Sequence, residues 1–243
     1  MSSAYLLVSH GSRDPRPDVA MQQLAKLISE KLPRGKNLVG IATLELNTQP
    51  LHQQIQDFAQ TALTFGCQFL KIIPLFLLPG VHVMSDIPAE VEIAQKALVG
   101  SIKLDLKPYL GSHGKIEKLL TKIMATIKAE RVILLAHGSG RSGSQKPIET
   151  IAENLGVMAA YWFVSPSLEV RVKELLVAGS RQITILPYFL FPGGITDAIA
   201  ESVEKLQLQF PEVKLQLASP LGVSAELADV IWDLATEGEQ IVG

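Results

Sequence analysis

Short runs of consecutive apolar residues alternate along this chain with amphipathic stretches. The runs near 4–9, 38–44, 69–76 and 101–106 are apolar on successive positions, the pattern of strands covered on both faces. Between them, 18–31, 50–65 and 85–98 carry helical spacing. Leu24, Leu27 and Ile28 mark one face of the first helix, and Ile55, Phe58, Ala59 and Ala62 one face of the second. The scheme then repeats. Strands are predicted near 131–136, 157–163, 182–187 and 213–218, with helices near 147–155, 167–178, 195–209 and 223–236, and a further helix near 114–128 joins the two series. Strand and helix in alternation predict parallel sheets with right-handed crossovers.

The repetition extends to the residues themselves. Tyr5-Leu6-Leu7-Val8-Ser9-His10-Gly11-Ser12 returns as Val132-Ile133-Leu134-Leu135-Ala136-His137-Gly138-Ser139, and Pro74-Leu75-Phe76-Leu77-Leu78-Pro79-Gly80 returns as Pro187-Tyr188-Phe189-Leu190-Phe191-Pro192-Gly193. Two phrases in the same order at long spacing indicate an internal duplication, not a solenoid. The fold predicted is α/β: two tandem flavodoxin-like domains, residues 1–128 and 129–243. Each is expected to hold a parallel sheet of about four strands flanked by helices, the two related by a pseudo-twofold. The boundary segment Lys128-Ala129-Glu130-Arg131 is not a Pro/Gly linker, so the halves are expected to pack closely.

Composition narrows the function classes. Apolar residues make up 47% and charged residues 19% of the 243 positions, enough for a core in each half. The net charge of −2 argues against a nucleic-acid partner, which needs a basic face. The single cysteine, Cys67, excludes an internal disulfide and a thiolate metal cage, so any metal must be held by imidazole, carboxylate or water. The apolar stretch Tyr5–Val8 is too short for a signal peptide, and no apolar run approaches the roughly 20 residues of a spanning helix. A cytoplasmic protein with no membrane partner is expected.

In an open α/β sheet, ligands bind at the carboxyl ends of the strands. His10 ends the first strand, Glu45 ends the second, and His82 lies in the loop after the third, behind Pro79-Gly80. If those strands are neighbours, the three side chains converge. Two imidazoles and a carboxylate suit a first-row divalent metal and also supply a proton acceptor. Taken singly, each has a plainer reading: a hydrogen-bonding turn histidine, a solvated strand end, a loop residue. The second half keeps only His137. Aligning Pro166 with Pro50 places Tyr161 opposite Glu45, and aligning Pro192-Gly193 with Pro79-Gly80 places Ile195 opposite His82, with a one-residue gap following. The metal chemistry is therefore assigned to residues 1–128, and 129–243 is read as largely scaffold.

Of the remaining histidines, His52 at a polar helix start is expected to be exposed, and His113 beside Ser112 to cap the linking helix. Arg13, Arg16, Arg141 and Lys146 follow the two His-Gly-Ser turns. Each alone reads as an exposed loop charge; together they suit an anionic ligand. Neither Ser12 nor Ser139 stands in a nucleophile elbow, and no glycine-rich nucleotide loop follows either strand.

The opening Leu7-Val8-Ser9-His10-Gly11-Ser12-Arg13-Asp14-Pro15-Arg16 and the loop Pro79-Gly80-Val81-His82-Val83-Met84-Ser85-Asp86-Ile87-Pro88 resemble the ATP-independent class II tetrapyrrole chelatases, and most nearly the sirohydrochlorin chelatases of the sirohaem and cobalamin pathways. The resemblance covers the whole chain, since long members of that family consist of two tandem copies. It implies a lyase-class enzyme that inserts Co²⁺ or Fe²⁺ into sirohydrochlorin at His10, Glu45 and His82. The metal would be a substrate, with no permanently bound cofactor. The eight carboxylates of the macrocycle would give Ser12, Arg13, Arg16, Arg141 and Lys146 a substrate-binding purpose, and a monomer would suffice. The alternative is a non-catalytic divalent-metal carrier or sensor using the same three residues. A two-lobed solute binder is disfavoured by the missing signal peptide.

Overall fold

Why the first strand is apolar throughout is plain from its surroundings. β1 (Ser3–Ser9) lies inside a sheet covered on both faces, and Ala4 through Val8 are all buried. In the computed structural model, which describes residues 2–32, 38–141 and 143–237, it is flanked by β2 (Val39–Thr43) and β3 (Phe69–Pro74), with β4 (Lys103–Leu106) at the far edge. All pairings are parallel and the order is β2-β1-β3-β4, the flavodoxin-like arrangement. The crossovers are α1 (Pro15–Ser29), α2 (Leu51–Thr64) and α3 (Ile87–Ala97), the last entered through a π-helical turn, His82–Asp86. Edge strand β4 reads Lys-Leu-Asp-Leu, charged on alternate positions, as suits a strand with one open side.

The second half repeats this plan. After α4 (Lys115–Thr126) come β5 (Arg131–Ala136), α5 (Lys146–Leu155), β6 (Met158–Tyr161), α6 (Leu168–Val177), β7 (Gln182–Pro187), α7 (Gly194–Gln209), β8 (Lys214–Leu217) and α8 (Ala225–Thr236). Its sheet is parallel with the order β6-β5-β7-β8, matching the first strand for strand. The predicted α/β class, two four-stranded parallel sheets flanked by helices, is thus observed, with element ends shifted by a few residues. Among the described residues no helix is long and apolar enough to cross a membrane.

Packing groups the chain differently from its duplication. One compact unit contains residues up to Ile116 together with those from Val223, and the other is Glu117–Gly222. The helix that follows each fourth strand therefore serves the opposite half. In the first unit, one sheet face buries Leu6, Val8, Leu70 and Ile72 beneath the apolar sides of α2 and α3, including Ile55, Ala59, Ile87 and Val91. The helices α1 and α8 pack against each other, and α8 also packs against β3.

The attachment of α8 has a clear chemistry. Six of its residues, Leu227, Ala228, Val230, Ile231, Leu234 and Ala235, are buried. The ring of Trp232 tilts against Tyr5 of β1 at 5.4 Å. Cations then meet the helix C-terminus, where the macrodipole is negative. Lys71, buried in β3, donates to the Ala235 carbonyl at 3.0 Å while its ammonium lies 5.5 Å from the Tyr5 ring. Lys107 donates to the Glu237 carbonyl at 3.0 Å, and Lys115 pairs with Asp233. A helix removed by most of the sequence from the sheet it covers is thus fixed by burial and charge together. Ile231→Ala should cost about 2–5 kcal/mol, the range for truncating a buried isoleucine. Urea unfolding followed by Trp232 fluorescence in a Trp162→Phe background measures it. A loss under about 1 kcal/mol would mean that α8 is peripheral to the first unit.

Candidate metal centre

His10 leaves the carboxyl end of β1, and two backbone hydrogen bonds bring the end of the neighbouring chain to it. Leu44 N–H donates to Ser9 O and Glu45 N–H donates to His10 O, each at 2.9 Å, extending the ladder beyond the last regular pair, Ser9 with Thr43. Gly11 makes this approach possible. Its φ is +98°, and a Cβ there would stand 2.1 Å from the Glu45 carbonyl oxygen. Immediately after Glu45 the chain turns away through Leu46 at φ +58°, a left-handed conformation costing a non-glycine residue about 1–2 kcal/mol.

His82 arrives from the other side. β3 is carried past its end by Leu75 N–H donating to Val8 O at 2.7 Å. The following loop is held against a 3₁₀ turn, Leu110–Ser112, by Gly111 N–H donating to Phe76 O at 2.9 Å. A side chain on Gly111 would collide with the Leu77 carbonyl, 1.9 Å away, so glycine is required for this contact. His82 then opens the π-helical turn. Phe76 lies beside both imidazoles, 6.4 Å from each ring centre.

The three predicted side chains meet. One ligand atom from each of His10, Glu45 and His82 falls within 4.8 Å of the others, the one such cluster found among the described residues. His10 Nε2 is 3.9 Å from Glu45 Oε2 and His82 Nε2 is 3.9 Å from Glu45 Oε1, so the carboxylate sits between two imidazoles with one oxygen toward each. The rings meet edge to face, centres 4.9 Å apart. Ligands of one zinc-like ion lie about 3–4 Å apart, so modest closure would suffice. Both Nδ1 atoms are occupied. That of His10 is 3.3 Å from the Gly11 carbonyl, and that of His82 is 2.8 Å from Asp86 Oδ2. These acceptors assign the proton to Nδ1 and leave both Nε2 lone pairs facing Glu45. The His10 and Glu45 side chains are about half exposed, which leaves room for an ion to keep other ligands.

The second unit has the same backbone device with different side chains. Trp162 N–H donates to Ala136 O and Phe163 N–H to His137 O, at 2.9 and 3.0 Å. The counterpart of Glu45 is therefore Phe163, not Tyr161. Tyr161 pairs with Ala136 as Thr43 pairs with Ser9. The proline alignment slipped because the loop from this position to Pro166 is two residues shorter than that from Glu45 to Pro50. Tyr161 is a core residue. Its hydroxyl donates to the Gln145 carbonyl at 3.4 Å, and burial, with Glu149 adding, pushes its phenol up to about 12. The His137 ring packs on Phe163 at 4.5 Å. Ile195 holds the place of His82 by direct count from Pro187, as expected.

The basic residues are divided between the two units. Arg16 is paired with Asp14, its Nε 3.0 and 3.1 Å from the two carboxylate oxygens. These bonds, with the Arg16 backbone N–H, hold the Asp14 carboxyl down at about 2. Ser12 Oγ accepts the Asp14 N–H at 3.0 Å and so shapes the turn. Arg13 is exposed beside the first site, whereas Arg141 and Lys146 are exposed in the other unit. His52 is not the exposed residue expected: its backbone N–H and Nδ1 both meet Glu90 Oε2, at 2.8 and 2.9 Å. His113 does cap α4, its Nδ1 accepting from Lys115 N–H at 3.2 Å. Asp86, the partner of His82 Nδ1, is a residue to which the sequence alone assigns no role. Its spacing of four from His82 was the available signal.

Comparison with known proteins agrees with this architecture. A chain described as SirB from Bacillus subtilis with Fe³⁺ superposes with a TM-score of 0.77 at 22% identity, covering 98% of this chain and 95% of that one. A cobalt complex of the sirohydrochlorin chelatase SirB from B. subtilis subspecies spizizenii gives 0.74 at 23% identity, with the same coverage. By sequence, a sirohydrochlorin cobaltochelatase of Priestia megaterium is 25% identical over 249 residues, 96% of this chain and 79% of the relative. A sirohydrochlorin ferrochelatase of B. subtilis is 25% identical over 228 residues, 88% and 84% of the two chains. The CbiX family model matches twice, over residues 4–126 and 131–237, once for each copy of the duplication; the chain belongs to the CbiX family.

Proposed function

We propose that this chain is a lyase-class metal chelatase that inserts Co²⁺ or Fe²⁺ into sirohydrochlorin without ATP. The observation that carries the reading is the convergence of His10, Glu45 and His82 at the strand ends of the first sheet. Membership of the CbiX family and the names of the relatives support the substrate.

Insertion has to balance protons. The macrocycle gives up two pyrrole N–H protons as its nitrogens take the divalent ion. In this reading His10 and His82 hold the ion through Nε2 and strip part of its water, Glu45 accepts one pyrrole proton, and solvent water takes the other. Three protein ligands at most, two of them neutral, suit an ion that must leave with the product. Ser12, Arg13, Arg141 and Lys146 are proposed to bind carboxylates of the macrocycle. Arg16 would first have to leave Asp14. Residues 1–128 then supply the metal chemistry and 129–243 largely scaffold, acting as a cytoplasmic monomer.

The test is an anaerobic absorbance assay with protein, sirohydrochlorin and either ion. Insertion should run well above the rate without protein; equal rates, with Co²⁺ still bound, would leave a non-catalytic carrier. His10→Ala and His82→Ala should each abolish most insertion, whereas His137→Ala should stay within a few-fold of the parent, because Phe163 and Ile195 give His137 no ligand partners. Equal losses from His10→Ala and His137→Ala would remove the scaffold reading.

Glu45→Gln separates proton acceptor from ligand. If Glu45 is the base, the variant should still bind Co²⁺ through the two histidines but insert it about 10²–10⁴-fold more slowly, the usual contribution of a positioned base. Lost Co²⁺ binding with normal turnover of the bound fraction would make Glu45 a ligand instead.

A further inference from the structure

We propose that Asp86 is a positioning residue for His82, and that a one-residue insertion unique to the first half delivers it. The inference rests on the reading of His82 as a metal ligand. It names the group that holds that ligand in register.

The two halves serve as each other's control. From Pro74 to Gly80 and from Pro187 to Gly193 the copies align residue for residue. Further on, the buried positions Ile87 and Val91 of α3 correspond to Ile199 and Val203 of α7. Six residues separate Gly80 from Ile87, but five separate Gly193 from Ile199. The extra residue falls where the first half forms its π-helical turn, His82–Asp86, and where α7 instead runs as a regular helix from Gly194. A single inserted residue is what a π turn in an α-helix accommodates, and such turns are frequent at functional sites. The insertion lets His82 keep its place after the strand while Ile87 keeps its place in the core.

The two polar residues of this turn are absent together from the other half. Counted forward from the strand, His82 corresponds to Ile195; counted back from the core, Asp86 corresponds to Ala198. In the first half they are joined, His82 Nδ1 to Asp86 Oδ2 at 2.8 Å. Asp86 makes no side-chain cap at the start of α3, so helix capping does not account for it. An ionised carboxylate only accepts, so this bond puts the proton on Nδ1 and aims the Nε2 lone pair at Glu45. His10 and His137 have only a backbone carbonyl at Nδ1, from Gly11 and Gly138. His82 alone of the three has a carboxylate there, the arrangement that fixes the tautomer and raises the basicity of a ligating imidazole.

The test uses the full chain without tetrapyrrole. In the metal-free protein, nitrogen-15 NMR should find the His82 ring as the Nδ1–H tautomer. Asp86→Ala should shift it toward Nε2–H and weaken Co²⁺ binding, read from the cobalt absorption spectrum, about 10–100-fold. Asp86→Asn, whose amide oxygen can still accept, should retain the tautomer and lose less affinity, and it serves as the folded comparison if the alanine variant proves unstable. Deleting Met84, an exposed residue of the turn, should abolish tight Co²⁺ binding while circular dichroism and the unfolding midpoint stay near the parent values. An unchanged tautomer, or Co²⁺ affinity within about 2-fold of the parent in both Asp86 variants, would overturn the proposal. Failure of the chelatase reading looks different: the parent would bind Co²⁺ with the stated Asp86 dependence, yet not insert it.

Discussion

Two backbone hydrogen bonds beyond the regular end of the β1–β2 ladder determine whether there is a site at all. Without Leu44 N–H to Ser9 O and Glu45 N–H to His10 O, the second strand would diverge at its carboxyl end and Glu45 would have no fixed relation to His10. The extension is possible because residue 11 has no side chain where the Glu45 carbonyl passes at 2.1 Å from the ideal Cβ position. The His-Gly pair is thus one device: the glycine lets the neighbouring chain approach, and the histidine uses the proximity. The placement of His82 depends on a second close passage, that of Gly111 under Leu77, which holds the loop leading to it.

The duplicated half shows that this backbone device and the chemistry are separable. Phe163 N–H meets the His137 carbonyl as Glu45 N–H meets that of His10, so the ladder extension survives intact. What fills it is an aromatic ring tilted against an imidazole, with Ile195 in place of His82. Fold is retained by the ladder, the glycine turn and the buried strand positions, none of which needs a metal ligand. Function is carried by side chains that can be exchanged on that frame.

This division also decides what the sequence revealed. Strands and helices were legible because burial on both sheet faces and on one helix face writes a period into the residues, here written twice. The convergence of His10, Glu45 and His82 followed from the strand-end rule once the order of the strands was assumed. The counterpart of Glu45 was misplaced by two because a conserved-looking proline is a poor register mark when loop length varies; only the pairing of Phe163 with His137 fixes it. The membership of α8 in the first unit is a tertiary preference, set by Trp232 on Tyr5 and Lys71 at the helix end, and no local pattern carries it. His52 looked solvent-exposed because its partner, Glu90, lies on another helix.

The position of Glu45 suggests how holding and transfer are reconciled in the proposed reaction. Its two oxygens lie at the same distance, 3.9 Å, from the Nε2 atoms of two imidazoles. A carboxylate so placed can balance the charge of an ion held by both histidines. It cannot at the same time take a proton with the oxygen that faces the ion. In the proposed reaction that constraint would lift as the ion passes to the macrocycle, when a pyrrole proton needs an acceptor. Loss of the metal and gain of that proton would then be coupled at one side chain. The histidines can remain neutral throughout, their Nδ1 protons held by Gly11 and Asp86. A site built from two carboxylates would place more negative charge around the ion and release it less readily. In the proposed reaction a single carboxylate between two neutral rings suits a metal in transit.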